Sequence, residues 1–111
     1  MADEQGAPSN PPIVSEFAGD PDMVEIVEYF VGELPKRVDA LRRAASSNDT
    51  GTLATLAHQL KGAAPGYGFS DIGRVAGELE AALRSSASIE NVIGQIEDLA
   101  SLCERARSKA R

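Results

Sequence analysis

The stretch "MVEIVEYFVGELPKRVDAL", Met23 to Leu41, decides the fold class. Its apolar residues are Met23, Ile26, Val27, Phe30, Val31, Leu34, Val38 and Leu41. They recur in steps of three and four, the spacing that lines up one face of an α-helix. Glu25, Glu28, Glu33, Lys36, Arg37 and Arg42 fall mostly on the other side. Pro35 lies inside the run, where it removes a backbone donor and crowds the preceding turn. The apolar stripe stays in register past it, so one kinked helix is expected rather than two.

Upstream, "AGDPD" reads as a turn, with Asp20 as N-cap and Pro21 at the first helical position. Ile13, Val14 and Phe17 form a small apolar cluster, and a short N-terminal helix around Ser15–Ala18 is expected to cover one end. Residues 1–12 hold three of the six prolines and almost no large apolar side chain, so they are expected to form a flexible tail ahead of a domain over 13–111.

Downstream, "SSNDTG" ends the first helix, and Asp49 or Thr50 caps the next. That helix carries Leu53, Leu56, Ala57, Leu60 and Ala64 as its stripe, and "PGYG" at 65–68 breaks it. Ser70 is the expected cap of a third helix, lined by Ile72, Val75, Ala76, Leu79 and Leu83. Ser88, after the "SSAS" break, is the expected cap of a fourth, lined by Ile89, Val92, Ile93, Ile96, Leu99, Ala100 and Cys103. The basic end "ERARSKAR" suits a helix C-terminus. No segment alternates with period two over a useful length. The reading is all-α: an up-down-up-down antiparallel four-helix bundle with short loops.

Composition agrees and excludes several function classes. At 111 residues, 42% hydrophobic and 25% charged, the chain has the size and balance of one compact domain. It has no tryptophan and only 5% aromatics, so the core is aliphatic. A net charge of −6 speaks against nucleic acid and anionic membranes as partners. One cysteine, Cys103, and one histidine, His58, allow neither an internal disulfide nor a zinc cluster. Cys103 lies on an apolar face and reads as packing. The N-terminus lacks the basic start and apolar run of a signal peptide, and no apolar run reaches the ~18 residues of a membrane span. A cytoplasmic monomer is expected.

His58 sits roughly 150° from the centre of its helix's apolar stripe and so faces solvent. Lys61 and Gly62 follow at three and four residues, on the same side. A helix-interior glycine costs roughly 0.5–1 kcal/mol relative to alanine. At Gly62 it leaves the ring uncovered for something bulky to approach. An imidazole is a competent nucleophile near neutral pH, and Lys61 brings a cation to it. Together they suit a group that carries an anionic adduct, although a solvated helix face could hold the same residues without purpose.

The segments "AHQLKGAAPGYGF" (57–69) and "VAGELEAAL" (75–83) resemble the histidine-containing phosphotransfer (HPt) domain of two-component phosphorelays. The match rests on His58, Leu60, Lys61, Gly62 and Ala63, the Gly68–Phe69 pair and the Leu79–Glu80 pair. Upstream, "FVGELPKRVDALRRAASSNDTGTLATLA" (30–57) is similar to the helix that precedes the histidine helix in that family. The resemblance covers roughly residues 13–106. It implies a phosphoryl carrier with no kinase or nucleotide site of its own. His58 would accept the group from a receiver-domain aspartyl phosphate and pass it to another receiver. Lys61 would neutralise phosphoryl charge, Gly62 would give access, and Glu80 or Gln59 would orient the imidazole or phosphoryl group. No cofactor is implied in this chain; magnesium is expected on the receiver. The implied partners are response-regulator receiver domains and a hybrid histidine kinase. Pro65 departs from the pattern and is expected to end the histidine helix early or bend it. Phe69 reads as a packing plug between helices, with docking by Tyr67 or Phe69 as its alternative. Two other functions remain open: a non-catalytic helical interaction module, and the phosphoacceptor domain of a chemotaxis-type histidine kinase.

Overall fold

The structure, a computed structural model, describes residues 11–110. Residues 1–10 of the expected tail, and Arg111, lie outside the described residues. Four helices carry the fold: α1 (Val24–Ser46), α2 (Thr50–Ala63), α3 (Ser70–Arg84) and α4 (Ile93–Arg105). Each packs on its sequence neighbours, and α4 closes the ring against α1, the arrangement of an up-down-up-down bundle. None is long and apolar enough to cross a membrane.

The core follows the expected stripes. Val27, Phe30, Leu34, Val38 and Leu41 from α1 meet Leu53, Ala57 and Leu60 from α2, all buried. Ile72, Ala76, Leu79 and Leu83 from α3, with Ile96, Leu99, Ala100 and Cys103 from α4, complete it. Fully burying one such large aliphatic side chain contributes about 1.5–3 kcal/mol. Two residues placed on the stripes, Ile26 and Ile93, are instead exposed. Each stands next to a buried residue, Val27 and Val92, at the edge of its stripe. Burial pushes the Cys103 thiol up to about 12, so it stays a neutral packing group. α1 runs uninterrupted through Pro35 as one helix of 23 residues.

Helix boundaries depart from the sequence reading in four places. The Ser15–Ala18 segment is a turn, not a helix. Its first two amides are committed elsewhere: Ser15 N–H donates to the Arg107 carbonyl at 3.0 Å, and Glu16 N–H to the Gly68 carbonyl at 2.9 Å, while Phe17 and Ala18 N–H close the turn on Ser15. Just before it, strand β1 (Ile13–Val14) pairs in parallel with β2 (Ala106–Arg107), closing the two chain ends over the bundle. Asp20 does not cap α1; its carboxylate accepts from Asp22 N–H at 2.9 Å, and the helix begins at Val24.

Ser70 is the first helical residue and Phe69 takes the cap position, with its carbonyl accepting from Gly73 N–H at 3.2 Å. Phe69 is 2% exposed and packs near Phe30, with 6.0 Å between ring centroids, and that burial sets the boundary. Ser88 precedes a 3-10 turn (Ile89–Val92) and makes no side-chain cap. Three residues per turn put Ile89 and Val92 on one side, and both are buried. Asp49, by contrast, does cap α2, accepting from Thr52 N–H at 3.1 Å.

The link between α2 and α3 positions the site. α2 ends at Ala63 and tightens into a 3-10 turn (Ala64–Tyr67) with Pro65 near its start. Proline is tolerated there because the first amides of a helical turn have no internal partner. A Cβ on Gly73 would lie 2.6 Å from Pro65 Cγ, so glycine is what lets the turn press onto α3. Gly68 then reverses the chain with φ +89°, and a Cβ on it would lie 2.8 Å from Glu16 N. Pro65 therefore ends the histidine helix and docks it on the next one.

Candidate functional site

α2 and α3 lie side by side, and one outward-facing row of α2 meets one polar position of α3. His58 is exposed as the helical period requires, with 63% of its side chain accessible. The side chain is nevertheless held. Nδ1 lies 3.1 and 3.2 Å from the two carboxylate oxygens of Glu80, 22 residues on.

Glu80 is buried, with only 9% of its side chain exposed. A buried carboxylate without partners would tend to be protonated. Here three cationic or N–H groups converge on it. Arg84, one turn further along α3, donates from Nε to Oε2 at 2.7 Å. Lys61 Nζ stands 3.7 Å from Oε1. The Arg84 hydrogen bond holds the Glu80 carboxyl below its ordinary value against the opposing effect of burial, with the His58 contact and the Lys61 charge adding to it. Glu80 is thus ionised at neutral pH and can only accept. Nδ1 of His58 must then be the protonated nitrogen. Nε2 is left as the lone-pair nitrogen on an exposed ring.

Lys61 reaches Glu80 by laying its stem across Gly77. A Cβ there would sit 3.4 Å from Lys61 Cδ and 3.5 Å from Cγ, ordinary van der Waals contact, so the stem packs on this face of α3 without requiring glycine. Gly62 is different. A Cβ on Gly62 would meet nothing within 4 Å, so the chain's own packing makes no demand for glycine at that position.

The structure thus brings His58, Lys61 and Glu80 together and leaves open space beside Gly62. Gln59 is exposed and takes no part in the carboxylate network. Of the two residues considered for orienting the ring, Glu80 is the one in contact. Arg84 is the member that sequence reasoning missed. The Glu80–Arg84 pair has the i, i+4 spacing of a helical ion pair and was visible in the sequence. Tyr67 is half-buried and stacks on Phe30 at 4.4 Å between centroids, so it packs with Phe69 at the end of the bundle.

Comparison with known proteins agrees with this geometry. No curated protein matches the chain. Among solved structures, it is similar to the HPT domain from the Hpt sensor hybrid histidine kinase from Shewanella. That match has a TM-score of 0.65 and 26% identity, covering 73% of this chain and 69% of that one. The Hpt domain family matches residues 25–109, the whole bundle from the first turn of α1 to past the end of α4. The chain belongs to the Hpt domain family, the phosphocarrier modules that exchange phosphoryl groups with receiver domains in two-component signalling.

Proposed function

We propose that this chain is a phosphorelay intermediary in which His58 accepts a phosphoryl group from a receiver-domain aspartyl phosphate and passes it to another receiver. One observation carries the reading: Nδ1 of an exposed histidine is engaged at 3.1 Å by a buried, ionised carboxylate. This presents Nε2 outward as the nucleophile.

The Nε2 lone pair attacks phosphorus in line, and the bond from phosphorus to the receiver's aspartyl oxygen breaks. The aspartate leaves as a carboxylate. No proton has to move, because Nδ1 already carries one. The product ring is a phosphoimidazolium, and its new positive charge faces the Glu80 carboxylate. Lys61, on the same exposed side, neutralises part of the phosphoryl charge. Gly62 leaves room for the receiver's surface to close over the ring. Magnesium and most of the catalysis belong to the receiver. The reverse step, onto a second receiver, uses the same groups.

The test is transfer from a phosphorylated receiver, with the product examined for an acid-labile, alkali-stable phosphate. Wild-type protein is expected to label and His58→Gln to stay unlabelled. Label that persists in His58→Gln overturns the assignment.

A further inference from the structure

Glu80 serves His58 only while it is ionised and correctly turned. Its burial opposes the first, and its freely rotating carboxylate opposes the second. Lys61 supplies neither condition well. At 3.7 Å its ammonium lies beyond hydrogen-bond length, on a flexible stem. It is also the cation closest in sequence to the phosphoryl acceptor, so it has another charge to serve. Arg84 is placed differently. Its Nε–H meets Oε2 at 2.7 Å, the length of a strong charge-assisted bond. It approaches from along α3, one turn beyond Glu80. A planar guanidinium that is always charged fixes the carboxylate it binds.

Resting on the phosphorelay reading above, we propose that Arg84 is a positioning residue for phosphoryl acceptance: by holding the Glu80 carboxylate it fixes the Nδ1–H tautomer of His58 and so keeps Nε2 free to attack. Arg84 acts through Glu80 and need not touch the phosphoryl group. The charges fit the task. Glu80 carries one negative charge, and Lys61 and Arg84 carry two positive ones. The surplus cation is Lys61, which can leave Glu80 for the incoming phosphoryl group because Arg84 remains.

The proposal predicts that Arg84→Ala disturbs the unphosphorylated protein, before any donor is present. Nitrogen-15 NMR of the His58 ring distinguishes the Nδ1–H and Nε2–H tautomers. In wild type the Nδ1–H form dominates; in Arg84→Ala the two are mixed. Potassium phosphoramidate, a small donor whose leaving group is ammonia, then measures nucleophilicity without any receiver. Its rate of phosphohistidine formation, followed by phosphorus-31 NMR, drops about tenfold in Arg84→Ala, the lower end of what losing the partner that orients a metal-binding histidine costs. Arg84→Lys recovers only part of the rate and of the tautomer preference, because an ammonium on a flexible stem keeps the charge and loses the planar donor. The Arg84 side chain is 59% exposed, so the variants are expected to fold, and circular dichroism checks it.

An unchanged tautomer in Arg84→Ala overturns the proposal, whatever happens to the rate. A shifted tautomer with an unchanged rate also overturns it. Failure of wild-type protein to take phosphate from a phosphorylated receiver would instead sink the phosphorelay reading, and leaves the tautomer result standing on its own.

Discussion

Two clusters of arginine and carboxylate tie neighbouring helices together, and they differ in what surrounds the carboxylate. Between α1 and α4, Arg42 donates to Glu97 at 3.0 Å and to Glu104 at 3.1 Å. All three side chains are about half exposed, at 45%, 55% and 53%. Between α2 and α3, His58, Lys61 and Arg84 gather on Glu80, which is 9% exposed. Water competes for every bond of the first cluster, and such exposed pairs contribute little measurable stability. Water has scant access to Glu80, so its few protein partners decide its charge and direction. The first cluster gathers two carboxylates on one arginine; the second gathers an arginine, a lysine and a histidine on one carboxylate. Burial of that carboxylate gives its partners a fixed centre that the surface cluster lacks.

The largest effect that sharpens this contrast belongs to Glu80. Glu80→Ala is expected to slow phosphorylation of His58 by phosphoramidate about 10- to 100-fold, with helicity by circular dichroism retained. Acid titration reads the same group through stability. The folded-state pKa of Glu80 is depressed, so its contribution is complete above the ordinary value of 4.5 and is lost as pH falls through the lowered folded value. Thermal melts of wild type taken at decreasing pH should therefore lose melting temperature below that point, and Glu80→Gln should lose less. Equal losses in the two proteins would remove Glu80 from the acid response.

The smallest effect belongs to the other cluster. Arg42→Ala is expected to change the melting temperature by no more than about 8 °C, given how little exposed pairs contribute. It should leave the phosphoramidate rate unchanged. A slowing comparable to that of Glu80→Ala would mean that the two clusters are coupled, and the contrast would fail.

Most of the fold was legible because helical period is a local property. The stripes of α1 to α4 were read correctly at their centres. They were misread at Ile26 and Ile93, edge positions beside the buried Val27 and Val92. Caps were read less well. Asp49 caps as expected because its acceptor serves an amide three residues away. Ser70 does not, since the buried ring of Phe69 moved the boundary by one residue. The Ser15–Ala18 turn was illegible for the same reason: its first two amides answer to Arg107 and Gly68, far along the chain. Pro65 looked like a departure because its purpose lies in Gly73, a residue of the next helix.

The sequence by itself determined that the chain is a bundle of four amphipathic helices, and that His58, Lys61 and Gly62 share the exposed side of one of them. Those facts depend only on spacing along a single helix. Only the tertiary structure decided that Glu80 is buried, that it reaches Nδ1 and that Arg84 and Lys61 share it. The 22-residue step from His58 to Glu80 spans a helix end, a 3-10 turn and a left-handed glycine. Spacing across such a link says nothing of how two helices rotate against each other. That rotation depends on tertiary contacts such as the close approach of Pro65 to Gly73, which exist only once α2 and α3 have packed.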